Sequence, residues 1–244
     1  MFIGSQGFGH FTNCEYDSKL GHYIIGQNNQ DFGFDTSRMA LVADGCSGAK
    51  ISEVGTRLFT QIFLKKEGYD KPEKFESNVK EVFDDLIAMM RKHYASEEEY
   101  EQEYIMENLL FTIIACFETE EEYIVKLFGD GYVITQNHMD VVSYLKYSYG
   151  PFPPYYAYKY CKNDEKYGKY KNYEIKTIHF SKKNFKKVGV ATDGIAPVVK
   201  DIIPNFDEYI VKENTIAMGV AMERSRQSFK DDVTICFIKG DDSI

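Results

Sequence analysis

Four aspartates of this chain stand where an apolar run meets a turn: Asp44 in VADGC, Asp130 in LFGDGYV, Asp193 in VATDGIA and Asp231 in FKDDVTI. Each alone is ordinary, because Asp-Gly is a common turn dipeptide. Together they say more, since strands of one sheet or sandwich can bring their ends to a common edge and concentrate four carboxylates there. Such a cluster repels itself unless cations neutralise it. Hard oxygen donors without Cys or His company select Mg²⁺ or Mn²⁺. Glycine after each of the first three aspartates lets the backbone come close, so the carbonyl of Gly45 can join the donors.

The elements that must position these residues can be read from the spacing of apolar residues. Arg38 to Ala43 (RMALVA) is a buried strand stopping at Asp44-Gly45. Ile51, Val54, Leu58, Phe59, Ile62 and Phe63 recur at helical spacing, and Phe75, Val79, Val82, Phe83, Leu86 and Met90 repeat the pattern after Pro72. The acidic stretch Ser96 to Glu107 reads as a solvated helix end or loop. Strands return at Leu109 to Phe117, Tyr123 to Phe128 and Tyr132 to Gln136, the last two joined as a hairpin or meander across Gly129-Asp130-Gly131. Lys187 to Thr192 and Val233 to Ile238 are further strands, with a helical segment around Thr215 to Glu223 between them. Strands, two helices, strands, a short helix and a strand suggest segregated α+β packing.

The 244 residues bound what else the chain can be. At 43% hydrophobic and 27% charged, with 18 Gly and 6 Pro, the composition is that of a globular protein with one sizeable core. A net charge of −9 argues against a general nucleic-acid binder. Five cysteines with no close pair support neither a disulfide framework nor a CxxC zinc site, which suits a reducing compartment. The N-terminal MFIGSQGFGHF has no basic and apolar leader pattern, and the apolar stretch Leu109 to Phe117 is about half a membrane span. A cytoplasmic protein without membrane contact is expected; the oligomeric state is not set by the sequence.

The aspartates belong to a longer ordered set: Asn29-Gln30-Asp31, Asp44-Gly45, Gly129-Asp130-Gly131, Thr192-Asp193-Gly194 and Asp231-Asp232-Val233-Thr234. In order and spacing this set resembles the metal-dependent PPM-type (type 2C) Ser/Thr phosphatases, in a divergent bacterial-like branch. The resemblance covers about Asn29 to Ile238. It implies a central β-sandwich flanked by helices on both faces, four layers in the order α-β-β-α, as a single domain over 1–244. It implies two ions, Mn²⁺ or Mg²⁺, with Asp44 bridging them, Gly45 lending its carbonyl, and Asp193 and Asp231 completing the first site. Asp130 with Asp193 matches the residues that hold a third, weaker metal in bacterial relatives, and Asp31 and Gln30 stand as supporting residues. The chemistry implied is attack on phosphorus by a metal-bound water held by Asp44, Asp193 and Asp231, with a phosphorylated protein as substrate. Rival phosphohydrolase motifs, Cys-x5-Arg, His-x-His, HExxH and Asp-x-Asp, are missing from the sequence.

The sequence departs from the family pattern at four places. Gly26 stands where many members carry a phosphate-gripping arginine, Gln30 replaces a glutamate, Cys46 a histidine and Gly131 a serine. Arg38, Lys50 and His22 are the candidate phosphate-binding replacements, each weighed against a surface or structural role. Cys46 is read either as a redox-sensitive thiol or as a small buried residue at a helix start. GSQGFG and GCSGAK fit no nucleotide loop. Lys182, Lys183, Lys186 and Lys187 mark the solvated start of a strand or a phosphate-steering patch. Between Tyr144 and Tyr173 lie ten of nineteen tyrosines and six lysines, a lobe of local charge +4 at the position of the family's flap. It reads as a recognition surface for a phosphorylated segment or as a local tyrosine core with an exposed loop. Two other functions stay open at this point: a catalytically weak regulatory binding module on the same fold, and a phosphatase of a small phosphorylated metabolite.

Overall fold

The computed structural model describes residues 15–17, 22–24, 29–93, 98–149, 153–162, 164–229 and 231–238. Strands β1 (Glu15–Asp17) and β2 (His22–Ile24) pair antiparallel, and β3 (Phe32–Asp35) leads into β4 (Met39–Gly45). Helices α1 (Ser52–Phe63), α2 (Phe75–His93) and α3 (Glu98–Asn108) follow, then β5 (Phe111–Glu118), β6 (Glu122–Phe128), β7 (Gly131–Asn137) and β8 (Val142–Tyr147). After α4 (Asp164–Lys171) come β9 (Lys176–Ser181) and β10 (Phe185–Ala191), the helices α5 (Ala196–Val199), α6 (Phe206–Val211) and α7 (Thr215–Arg224), and β11 (Ile235–Phe237).

Two antiparallel sheets result, in the orders β3-β4-β5-β6-β9 and β11-β10-β7-β8. Alternation along the strands explains why both must be covered twice. Met39, Leu41 and Ala43 of β4 point to one core beside Phe59, Phe63 and Phe83 of α1 and α2, whereas Ala40 and Val42 point to another. That second core is the sandwich interior, where Val42, Ile114 and Val125 meet Val133, Val190 and Cys236 of the opposite sheet. The far face of the second sheet, with Ile134, Ile235 and Phe237, is covered by Val198, Ile210, Met218 and Met222. Helices, sheet, sheet, helices is the four-layer α+β sandwich expected from the sequence. Strands buried on both faces read as continuous apolar runs, which is why MALVA and FTIIACF look as they do. No described helix is long and apolar enough to cross a membrane.

Three local expectations need correction. Residues 122–136 do not form a hairpin: β6 pairs with β5 and β9, while β7 pairs with β10 and β8, so Gly129-Asp130-Gly131 carries the chain from one sheet to the other. Gly129 and Gly131 take φ of 104° and 143°, and a Cβ on Gly129 would lie 2.5 Å from the Thr112 side chain. A hairpin turn and a tight sheet-to-sheet crossing ask for the same residue types. The acidic stretch forms α3, held by an Arg91–Glu101 fork at 2.6 and 2.9 Å and by the buried Ile105. The lobe starts later than expected, because Val142–Tyr147 is strand β8.

Candidate active site

Strand register assembles the site. β3 and β4 run antiparallel with Phe32 opposite Ala43, so Asp31, before β3, meets Asp44, at the end of β4. In the second sheet Ala191, at the end of β10, lies opposite both Tyr132 of β7 and Ile235 of β11. That register puts Asp193, Asp130 and the Asp231-Asp232 pair at one edge. The crossing at Gly129-Asp130-Gly131 ties the two edges together, and the acids of both sheets face one another.

The hydrogen bonds around them are specific. Thr192 is fully buried; its Oγ1 donates to Asp31 Oδ2 at 2.7 Å and accepts from the Thr234 N–H at 2.9 Å. The Gln30 N–H donates to Asp232 Oδ2 at 2.6 Å, the Asp232 N–H donates to Asp231 Oδ1 at 2.9 Å, and Thr56 Oγ1 donates to the Gln30 carbonyl at 2.9 Å. Gln30 therefore clamps the final strand against α1. Close packing enforces the arrangement: a Cβ on Gly45 would sit 2.6 Å from the Gln30 carbonyl oxygen and 2.7 Å from Ser52 Oγ. One on Gly194 would sit 1.9 Å from the Asp232 carbonyl oxygen.

Electrostatics follow from burial and crowding. Loss of water, then repulsion from Asp31, Asp193, Asp231 and Asp130, pushes the Asp44 carboxyl well above the ordinary range. Burial, then Asp232 and Asp231, does the same to Asp31 against the lowering effect of the Thr192 hydrogen bond. Asp130 is raised by burial and by Asp193, with Lys146 opposing. Among the described residues no three His, Cys, Asp or Glu side chains converge closely enough to hold an ion as they stand. The donor chemistry nevertheless fits a hard divalent cation: acidic oxygens from both sheets, crowded together and raised by one another, beside a glycine that brings a carbonyl close.

Of the other residues singled out from sequence, Arg38 precedes Met39 at the opposite end of β4 from Asp44, roughly 20 Å away by strand rise. Lys50 stands near the acidic edge, but its Nζ is 3.1 Å from Glu107 Oε1. Gly26 and the His22 side chain lie outside the described residues. Cys46 is half-buried in the turn before α1, its carbonyl accepting from Ser52 Oγ at 3.1 Å. Lys182 and Lys187 pair with Glu118 and Glu213. The lobe folds inward: Tyr156 packs on Phe83 and Phe128, Tyr160 Oη donates to Asp84 Oδ1 at 2.8 Å, and Tyr167 is buried. Three residues the sequence did not single out also belong to the site. Thr192 and Asp232 are the hydrogen-bonding links just described, and Tyr155 of the lobe, its phenol raised by burial and then by nearby Cys46, lies within electrostatic range of Asp44. For Thr192 and Asp232 the signal was adjacency to a motif aspartate; for Tyr155 there was none.

A double sheet clad by helices on both faces, with the acids of both sheets meeting at one end, makes the chain an α-β-β-α sandwich with an acidic edge. The family model described as Protein phosphatase 2C matches residues 20–225, and the chain belongs to that family, and so to the protein serine/threonine phosphatases. Among solved structures it is similar in fold to the serine/threonine phosphatase Stp1 from Staphylococcus aureus, at 17% identity over 98% of each chain and a TM-score of 0.59. It is likewise similar to the Mycobacterium tuberculosis phosphatase PstP/Ppp, at 14% identity over 88% of this chain and 93% of that one and a TM-score of 0.56. A third, the catalytic domain of PstP in complex with two manganese ions, is 14% identical over 88% of this chain and 94% of that one, with a TM-score of 0.58. No curated protein matches.

Proposed function

We propose that this chain removes phosphate from phosphoserine or phosphothreonine in cytoplasmic proteins, as one domain over 1–244, with two divalent cations held at the acidic edge. Asp44, the Gly45 carbonyl, Asp193 and Asp231 would hold them, and Asp130 with Asp193 would take a third, weaker ion. The observation that carries this reading is the half-buried Asp44 carboxyl, opposite Asp31 at the end of β4 and raised by loss of water and then by four other aspartates from both sheets. A group so placed is costly unless a cation relieves it, and a PstP catalytic domain of similar fold was solved with two manganese ions. Bound at this edge, Mn²⁺ or Mg²⁺ supplies Lewis acidity and, from water, a nucleophile at neutral pH.

The chain's own residues do the positioning. Thr192 orients the Asp31 carboxyl, which crowds Asp44 and adds to the negative potential that a cation would relieve. Gln30 fixes Asp232 and through it the backbone that carries Asp231. Tyr155 and Cys46 close the side of the site next to the lobe. Hydrolysis of a phosphothreonine peptide by metal-stripped protein tests the proposal. Turnover should depend on added Mn²⁺ and fall by at least about a hundredfold in Asp193→Asn and Asp231→Asn. Wild-type protein that binds two Mn²⁺ without turning over the peptide would contradict it.

A further inference from the structure

The reaction just proposed brings a phosphoryl dianion to an acidic edge. A protein cation there would help to hold and orient it; of the candidates named from sequence, Arg38 is remote, Lys50 is tied to Glu107 and the His22 side chain lies outside the described residues. A cleft of about 280 Å³ opens beside the acidic edge, with Asp193 and Asp231 at one side, Lys200 and Ser228 as further polar groups, and Pro197 and Ile202 as apolar wall. Lys200 is exposed and, among the described residues, makes no ion pair. Its backbone is fixed to the segment that carries Asp193. The Lys200 N–H donates to the Ala196 carbonyl at 3.2 Å, the Ile202 N–H donates to the Pro197 carbonyl at 3.1 Å, and Asp201 takes a left-handed φ of 55° between them.

From this placement we infer that the cleft is the substrate subsite and that Lys200 is the cation pairing with the substrate's phosphoryl group. The inference rests on the phosphatase reading and adds the residue that grips the phosphate. A lysine acts as a flexible point charge rather than as a planar fork, so it neutralises without imposing a bidentate geometry. Ser228, also lining the cleft, offers a hydroxyl donor, and Pro197 with the half-exposed Ile202 receives the aliphatic part of the phosphorylated side chain. The volume lies just under the roughly 300–1,000 Å³ of drug-sized ligand pockets, room enough for one phosphorylated side chain. Lys146, which faces Asp130 and lies 5.9 Å from the Tyr132 ring centroid, is the rival cation.

The test uses the Mn²⁺-loaded protein and its Lys200→Ala, Lys200→Arg and Lys146→Ala variants. Binding of inorganic phosphate is read by calorimetry, and KM is measured for p-nitrophenyl phosphate and for a phosphothreonine peptide. Lys200→Ala should weaken phosphate binding about tenfold or more and raise KM comparably for both substrates. Lys200→Arg should recover most of that loss. Unchanged phosphate binding in Lys200→Ala, an equal or larger loss in Lys146→Ala, or a KM rise confined to the peptide would overturn the inference. Lys200 is exposed, so the urea midpoint of Lys200→Ala should match wild type. A wild-type protein that neither binds phosphate nor turns over overturns the phosphatase reading itself; a normal wild type with an indifferent Lys200→Ala overturns only this subsite.

Discussion

Asp44 gives up water on folding and then faces four other carboxylates, so the folded, metal-free protein holds a proton there more tightly than the unfolded chain does. Between the ordinary aspartate range, about 3.9, and the raised value, the native state binds the extra proton, so stability falls as pH rises through that window. Asp31 and Asp130 act in the same direction. Replacing Asp44 by Asn removes the repulsion and should raise the metal-free melting temperature by a few degrees near pH 7, at roughly 2–4 °C per kcal/mol for a chain this size, while abolishing turnover. Thermal melts of both proteins from pH 4 to 8 check this: the gain should shrink toward pH 4. At this scale much was legible, because an aspartate ending an apolar run is visible in one dimension. Thr192 and Asp232 were less so; what ties them to the acidic edge is a partner 161 residues away in Asp31 and 202 away in Gln30. Arg38 passed as a candidate because proximity in sequence to Asp44 conceals the length of an extended strand.

At the scale of elements, strand ends bring the acids together, and glycines set how closely they approach. Gly194 packs against the Asp232 backbone so tightly that a methyl group must push the 3-10 turn Asp193–Ile195 away from the approach to β11. Gly194→Ala should therefore cost about 1–3 kcal/mol in urea unfolding and should weaken Mn²⁺ binding as well. Gly55→Ala makes a useful contrast. Its Cβ would lie 1.8 Å from the Asn108 carbonyl oxygen where α1 meets the end of α3, so it should lose stability comparably and spare Mn²⁺ affinity in the protein that stays folded. Helices α1 and α2 and the interior strands could be read from periodicity, since burial on one stripe or on both faces leaves a strong pattern. The sheet crossing at Gly129-Asp130-Gly131 could not, because its residues suit a hairpin equally well and only pairing partners distinguish the two. The short helices α5 and α6 and the half-exposed strands β8 and β9 bury too little to leave such a pattern.

For the whole molecule, the lobe that follows β8 is part of the structure that supports the site. Tyr156 is almost fully buried against Phe83 and Phe128, burial pushes its phenol up to about 12, and Lys159 Nζ donates to the Lys171 and Tyr173 carbonyls at 2.8 Å each. Tyr156→Ala should cost about 3 kcal/mol, which chemical denaturation would register as a lower midpoint; a surface flap would show almost none. The tyrosine-rich composition allowed a recognition surface or a local core, and only contact with α2 and β6 chooses between them. The four layers were implied by the family resemblance, since apolar spacing alone reads only as segregated α+β packing. The central claim is that the acids of both sheets form one cation site. Calorimetric titration of metal-stripped protein with Mn²⁺ at pH 6 tests it most directly, with Asp44→Asn alongside. Two strong equivalents per chain with proton release, and loss of both in Asp44→Asn, are predicted; no binding by wild type, or the same binding by the variant, would contradict it.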